Sequence, residues 1–206
     1  MRWIIAIMAA FSVGSCLAAG TASIGSVVSK DDLWIDHYRV QTSGTIFDGS
    51  EVQTGTNAQS IAEVRMGSGA KMTFYGDSRG TLYRDHLVLL RGAVELAASP
   101  SFRVEVTGLA VSASEPHSSG TVSIGADGAV EVSARTGNLH VVKYGGSPLA
   151  EVGPQEPLAF FHTNKTGWRI GTASPETFRE SHHCYGDSGK DNDDRDCGDH
   201  HRHRSR

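Results

Sequence analysis

The sequence predicts an all-β fold, and three observations support this prediction. Short segments alternate apolar and polar residues with a period of two, which buries one face of a strand and exposes the other. Turn-forming Gly, Asp, Asn and Ser residues recur about every 8–12 residues. An amphipathic helical stripe of about ten residues is missing from the body of the chain. We therefore expect a sandwich, a jelly-roll-like fold or a short solenoid, built from short strands.

The composition fits one globular domain with a tail. Hydrophobic residues make up 38% of the 206 residues and charged residues 20%, a balance too apolar for a wholly disordered chain. The formal net charge of −4 provides no basic surface of the kind that binds nucleic acid, so we expect no such partner. The 3 cysteines are too few for a disulfide-stabilised scaffold.

Residues 1–22 have the layout of a secretory signal peptide. A positive start, Met1-Arg2, precedes an apolar run that ends at Val13, and small residues follow. The run is too short to span a bilayer as a helix, which needs about 20 residues. We therefore expect an exported protein, periplasmic or extracellular.

Two processing routes remain open for this leader. Cleavage after Ala18, Ala19 or Ala22 would release a soluble protein, and this is the route that we favour. The segment VGSC at residues 13–16 is similar to a bacterial lipobox, and Cys16 would then carry a lipid. We expect membrane anchoring only if Cys16 is lipidated.

The β body is predicted to extend over residues 23–173. Glycine adopts the positive φ angles of tight hairpin turns at little cost, so Gly-containing turn sequences predict chain reversals. The alternating segments are SIAEVRM at 60–66, FRVEV at 102–106, GAVEVSA at 128–134 and LHVVKY at 139–144. The turn sequences are Asp48-Gly49, Gly67-Ser68-Gly69, Gly76-Asp77, Asp127-Gly128 and Gly145-Gly146.

The end of the chain predicts a short helix followed by a disordered tail. Ser174 can cap a helix whose first turn contains Pro175 and Glu176, so we expect a helix over residues 174–181. Residues 182–206 contain no apolar run and cannot bury enough surface to offset the entropy of ordering them.

The tail contains the densest set of metal-ligating side chains in the sequence. His and Cys are ligands for ions such as Zn, Ni or Cu, but the two tail cysteines are not spaced as the close pair of a structural zinc site. Outside the cytoplasm we favour a disulfide between them over a thiolate metal site. We expect no cofactor, and only adventitious metal binding. The candidate ligands are His182, His183, Cys184, Cys197, His200, His201 and His203, and the candidate disulfide is Cys184–Cys197.

Two segments look like catalytic motifs. Residues 76–80 match G-x-S-x-G, but the segment after Ser78 alternates like a strand, where a nucleophile elbow requires a helix. Ser78 is therefore predicted to be a strand or turn residue. The segment CYGDSG, which starts at Cys184, is similar to the nucleophile segment of trypsin-like serine proteases, but only the polar tail follows it.

Three histidines stand beside carboxylates in the sequence. Adjacent residues on a strand point to opposite faces, so we expect no histidine–carboxylate dyad and no catalytic residue among them. The pairs are Asp36-His37, Asp85-His86 and Glu115-Pro116-His117.

The glycines and strands between residues 45 and 144 follow a recognisable order. In chain order they are Gly49-Ser50, Thr54-Gly55, the alternating strand Ser60–Met66, the hairpin Gly67–Gly69, the strand Ser78–Leu82 and the closing LLRG at 89–92. Gly120-Thr121 and GAVEV at 128–132 form a second, later set. This order resembles the FecR domain of bacterial extracytoplasmic proteins.

The resemblance implies a FecR-like β domain over residues 23–173 with a non-enzymatic sensing or binding role. The namesake of the family signals from an outer-membrane receptor to a sigma factor through a cytoplasmic segment. Only Met1 and Arg2 precede the apolar run here, so we expect no sigma-factor partner. We expect a free-standing sensing or scaffold protein that binds an unknown envelope protein or glycan. The alternative is a metal-binding envelope protein that acts through its His/Cys-rich tail.

Overall fold

The computed structural model describes residues 22–97, 101–163 and 167–173, and these residues form eighteen β-strands and no helix. The all-β prediction is confirmed. The predicted helix at 174–181, the tail at 182–206 and the predicted signal peptide, apart from Ala22, lie outside the described residues. The strands are β1 (Ser23–Ser29), β2 (Leu33–Ile35), β3 (Tyr38–Val40), β4 (Ser43–Phe47), β5 (Ser50–Thr54), β6 (Ala62–Met66), β7 (Lys71–Phe74), β8 (Arg79–Leu82), β9 (His86–Arg91), β10 (Ala93–Ala97), β11 (Arg103–Val106), β12 (Leu109–Ala113), β13 (Ser119–Ile124), β14 (Val130–Thr136), β15 (Leu139–Lys143), β16 (Pro148–Val152), β17 (Leu158–Thr163) and β18 (Gly167–Thr172).

The strands form two sheets of nine strands each. The first has the order β18-β17-β14-β13-β10-β7-β6-β1-β4 and the second the order β16-β15-β12-β11-β9-β8-β5-β2-β3. From β5 onward, strands that are neighbours in a sheet are also close in the chain, so both sheets grow in the same direction as the chain advances. Repeat proteins and solenoids have this serial order, whereas the Greek keys of a jelly roll pair strands that are distant in sequence.

The chain visits the two sheets in turn. The hairpin β6–β7 of the first sheet is followed by β8–β9 of the second, and β13–β14, β15–β16 and β17–β18 continue the alternation. Between β9 and β11, in contrast, the chain passes through only one strand of the first sheet, β10. Because a single strand intervenes where a hairpin stands elsewhere, the chain returns to the second sheet in its original direction, so β9 and β11 run parallel. The other pairs among the described strands are antiparallel.

One apolar cluster fills the space between the sheets. This cluster arises from the period-two pattern, because residues along a strand such as β6 alternate between buried and exposed. Val64 and Phe74 of the first sheet and Leu82 and Val104 of the second are all at most 1% exposed. Burial of each such side chain contributes about 1.5–3 kcal/mol, so the two faces hold each other in place.

Two glycines let side chains approach the backbone of the sheets closely. A Cβ atom at Gly80 in β8 would lie 2.7 Å from Leu87 Cδ1 and 3.3 Å from the ring of Phe74 in the opposite sheet. A Cβ atom at Gly120 in β13 would lie 2.6 Å from Leu139 Cδ1 of the opposite sheet. Both positions are therefore reserved for glycine by packing.

A buried serine holds a connection between the sheets in each half of the body. The Ser78 hydroxyl donates to the Ala93 carbonyl and accepts the Ala93 N–H, both at 2.9 Å. Gly92 has φ +81°, and a Cβ atom there would overlap the Ser78 Oγ atom. In the later half, a Cβ atom at Gly137, where φ is +59°, would overlap the Oγ atom of buried Ser118.

The two serines also share a spacing, because each precedes one of the reserved glycines by two residues. Ser78-x-Gly80 leads into β8 of the second sheet, and Ser118-x-Gly120 leads into β13 of the first. The same arrangement, a buried serine two residues before a closely packed glycine, therefore occurs once at a strand of each sheet.

Candidate functional site

One flank of the sandwich consists of segments that carry the chain from sheet to sheet. The connections at residues 30–32, 55–61 and 75–78 lie side by side there. The N–H of Gly55 donates to the carbonyl of Asp32 at 2.9 Å, and the N–H of Asp77 donates to the carbonyl of Gly55 at 2.7 Å. Loops that are held on a rigid scaffold in this way commonly carry binding groups.

A polar cleft of about 640 Å³ opens on this flank. Its walls come from the β1–β2 connection, from the end of β3 and the residue after it, and from the 55–61 connection. Arg39 forms an ion pair with Asp32, which ties the β3 wall to the β1–β2 wall. The residues that line the polar cleft are Lys30, Asp31, Asp32, Arg39, Val40, Gln41, Asn57 and Ser60.

Three side chains of the polar cleft are not used by the fold. Lys30, Asp31 and Gln41 are exposed, and no hydrogen bond or ion pair within the described residues occupies their ammonium, carboxylate or amide group. Two cations and two carboxylates line the polar cleft, so its formal charges cancel. Donors and acceptors of this kind suit a hydroxyl-rich or amide-bearing molecule better than a strongly charged one.

The 55–61 connection is a fixed wall of the polar cleft. The carbonyl of Asn57 accepts the N–H of Ser60 at 2.9 Å, and Asn57 Oδ1 accepts the N–H of Gln59 at 3.1 Å. On its far side Gly76 packs so closely that a Cβ atom there would lie 2.9 Å from the carbonyl carbon of Asn57. The polar cleft is therefore largely pre-formed, as ligand sites usually are.

A second depression of about 330 Å³, which we call the glycine groove, lies on the other side of the same wall. Asn57 lines the polar cleft, whereas its neighbours Thr56 and Ala58 line the glycine groove. The other lining residues of the glycine groove are Tyr75, Gly76, Asp77, Gly92, Ala93, Ser123, Ile124, Gly125 and Glu131.

The ring of Tyr75 in the glycine groove is anchored through its hydroxyl group. That hydroxyl donates to Glu95 Oε2 at 2.6 Å, and Glu95 also pairs with Arg135, whose Nη1 lies 3.1 Å from Glu95 Oε1. Burial and, after it, the hydrogen bond to Glu95 raise the pKa of Tyr75 above its ordinary value. The phenol therefore stays neutral, and the half-buried ring presents a fixed apolar surface.

Ser78 of the G-x-S-x-G match is a structural residue, as the sequence predicts. It immediately precedes β8, its side chain is 0% exposed, and its hydroxyl is fully engaged with Ala93. Its own N–H donates to Thr54 Oγ1 at 2.9 Å. A nucleophile elbow needs an exposed hydroxyl beside a base, and this serine has neither feature among the described residues.

The expectation that Asp85 and His86 stay apart is wrong. Asp85 Oδ1 and His86 Nδ1 are 2.9 Å apart. The alternation rule does not apply because Asp85 belongs to the bend before β9, so its side chain can turn back onto the first residue of the strand. The ring of Tyr83 stacks on His86 with ring centroids 4.6 Å apart.

The Asp85–His86 pair belongs to a network on the outer face of the second sheet. Arg103 Nη1 donates to Asp85 Oδ2 at 3.0 Å, and Arg103 Nε donates to Glu105 Oε1 at 2.8 Å. The hydrogen bond with His86 lowers the pKa of Asp85, partly offset by burial, and Arg103 lowers it further. Neither the polar cleft nor the glycine groove contains these residues, so we interpret the network as structural and assign it no catalytic role.

The other two histidine–carboxylate neighbours do not meet. Asp36 and His37 are turn residues with positive φ angles; Asp36 accepts hydrogen bonds from the Ser50 hydroxyl and the Glu51 N–H. The N–H of Glu115 donates to Ser118 Oγ, and the carbonyl of His117 accepts from Thr136 Oγ1. These contacts shape turns.

The remaining predicted site residues lie outside the described residues. Among the described residues, no group of three or more His, Cys, Asp or Glu side chains could hold a metal ion. The predictions that fall outside are the metal ligands His182, His183, Cys184, Cys197, His200, His201 and His203, the disulfide Cys184–Cys197, the protease-like segment at Cys184 and the lipidation of Cys16.

Sequence reasoning missed the polar cleft. Its charged triplet Lys30-Asp31-Asp32 stands between two alternating segments and could have been noted as a polar loop. Nothing in the sequence shows that this triplet meets Arg39 and Asn57, because only the order of the strands brings the three segments together.

No known family model and no curated protein sequence matches this chain. Among the described residues, no helix is both long and apolar enough to cross a membrane.

Proposed function

We propose that this chain is an exported, non-enzymatic, FecR-like binding protein of the cell envelope, and that the polar cleft is its ligand site. The observation that supports the proposal most is the set of polar side chains that the fold does not use. Lys30, Asp31 and Gln41 line a pre-formed polar cleft, and no hydrogen bond or ion pair among the described residues occupies their ammonium, carboxylate and amide groups. Ser78, in contrast, is committed to packing.

Export is tested by the intact mass of the protein recovered from an envelope fraction. We expect a mass that corresponds to cleavage after Ala18, Ala19 or Ala22. A mass that includes a lipid on Cys16 would indicate the lipoprotein route. An uncleaved chain in the cytoplasm would contradict the proposal.

Binding is tested by co-sedimentation of the full mature chain with purified peptidoglycan sacculi and with envelope membranes. The triple variant Lys30→Ala, Asp31→Ala, Gln41→Ala removes the unused groups of the polar cleft while leaving the core intact. We expect the wild-type chain to sediment with one of these fractions and the triple variant to lose at least about tenfold in affinity, since charge-assisted hydrogen bonds each contribute about 1.5–3 kcal/mol.

A matched control removes the same kinds of side chain from the opposite end of the body. Lys143, Gln155 and Glu156 are exposed, and their triple alanine variant should bind as the wild type does. Equal binding by the cleft variant and the control variant, or no sedimentation of the wild type with either fraction, would contradict the proposal.

The second candidate function is metal binding through the tail, and the concentration of histidines supports it. Five of the 10 His residues of the chain stand in residues 182–206. A variant that ends at residue 181 should lose metal uptake and keep envelope binding if the two functions are separate. Loss of envelope binding on truncation, with the cleft variant unaffected, would favour the tail instead.

A further inference from the structure

The polar cleft and the glycine groove share a wall. Asn57 faces the former, and the adjoining Thr56 and Ala58 face the latter. The two depressions therefore follow one another along the same flank, with the 55–61 connection between them. A single small molecule would fill one of them, whereas an extended polymer could lie across both.

The chemistry of the glycine groove differs from that of the polar cleft. Gly76, Gly92 and Gly125 leave backbone exposed on its surface, while Tyr75 and Ile124 supply apolar area. The Tyr75 ring is held in place by its hydrogen bond to Glu95. An anchored aromatic ring beside polar groups suits a ligand that has both an apolar face and hydroxyl groups, as a pyranose ring has.

The charges on the flank favour an uncharged polymer. Lys30 and Arg39 are balanced by Asp31 and Asp32 in the polar cleft. In the glycine groove, Asp77 is paired with Arg91, whose Nη2 lies 2.6 Å from Asp77 Oδ1, and Glu131 is the other carboxylate of the lining. A polyanion would find no net positive field here.

An extended peptide fits this flank less well than a glycan. Peptides that bind to β proteins in extended form commonly add a strand to an exposed sheet edge. The end of the edge strand β3 lines the polar cleft, but the glycine groove is lined by connections and by strands from the middle of the first sheet. A peptide added to β3 would therefore engage only the polar cleft.

We infer that the polar cleft and the glycine groove are adjoining subsites for one uncharged glycan strand. The inference rests on the proposed function, since it names the ligand class of the polar cleft. Two linked subsites bind a long chain more tightly than either binds a short one, because the second contact forms within the same complex.

The test compares the affinities of the full mature chain for a short and a long oligomer of the same sugar. The probes are soluble β-1,4-linked N-acetylglucosamine oligomers of two and six sugars, with polygalacturonate as an anionic comparator, measured by calorimetry. We expect the longer oligomer to bind at least about tenfold more tightly than the disaccharide and the polyanion to bind more weakly than the longer oligomer.

A variant that fills only the glycine groove tests the second subsite. Ala58 is exposed and lines the glycine groove, so Ala58→Trp should remove the advantage in affinity that the longer oligomer has over the disaccharide. Ser68→Trp, at an exposed hairpin tip, is the control and should bind as the wild type does.

The outcomes separate the inference from the proposed function. Equal affinity for both oligomers, with binding lost in the triple cleft variant, would overturn the inference and leave the proposed function standing. Tighter binding of the polyanion than of the longer oligomer would also overturn the inference and leave the proposed function standing. So would a chain that binds no oligomer but still sediments with envelope fractions. If neither the oligomers nor the envelope fractions bind, both fail.

Discussion

Gly92 shows how a single position can constrain a connection between sheets. Its φ angle of +81° lies in the left-handed region, and Ser78 occupies the space where a side chain would begin. The glycine is required twice, once by backbone conformation and once by packing. This also explains why Ser78, in a motif that resembles a nucleophile elbow, is unavailable for chemistry.

We predict that Gly92→Ala destabilises the protein far more than Gly128→Ala does. Both glycines have positive φ angles, +81° and +79°, but a Cβ atom at Gly128 would meet nothing within 4 Å. Backbone strain alone costs about 1–2 kcal/mol, and the overlap with Ser78 adds about 1–3 kcal/mol. Urea unfolding of both variants measures the difference, and equal losses of stability would show that packing against Ser78 contributes nothing.

At the scale of elements, the network around β9 and β11 links a bend to two strands that run parallel. Arg103 of β11 reaches Asp85 in the bend before β9, and it also holds Glu105 two residues along its own strand. The network thus adds side-chain contacts to the parallel pair, which is produced by the single crossing of β10.

We predict that this network weakens in acid. The pKa of Asp85 is lowered in the folded protein, first by His86 and also by Arg103, so its contribution to stability is present above the unfolded-state pKa of about 4 and is lost as the pH falls through the folded value. Asp85→Asn should therefore reduce stability at pH 6 and lose less than the wild type between pH 5 and pH 2. Thermal unfolding across this range measures the effect, which is small because the pair is exposed. Parallel pH profiles for the two proteins would contradict the assignment.

The elements also show what the sequence can and cannot predict. The alternation in residues 60–66 and the glycines at 128 and 145 predict strands and turns that the structure confirms. Assignment to a sheet is different, because a hairpin has the same pattern whichever sheet it joins. The contact between Asp85 and His86 cannot be predicted from strand periodicity, because Asp85 lies in a bend one residue before β9.

At the scale of the whole molecule, the first four strands close the N-terminal end of the body. β4 lies outside β1 in the first sheet and β3 outside β2 in the second, so these two strands interrupt the otherwise serial order. Two walls of the polar cleft, the β1–β2 connection and the end of β3, belong to this unit, and the third is the 55–61 connection between β5 and β6. In the serial part of the body, each hairpin packs on the next, and these contacts between neighbours stabilise the fold. The glycine groove lies on the flank of this serial part, next to the polar cleft.

The most direct test is amide hydrogen exchange of the full mature chain with and without the β-1,4-linked N-acetylglucosamine oligomer of six sugars. We expect slower exchange on binding in residues 30–32, 39–41 and 55–61, which form the walls of the polar cleft, and unchanged exchange at the hairpin tip of residues 67–69. Protection confined to residues 182–206, or to hairpin tips away from this flank, would contradict the claim that the polar cleft is the binding site.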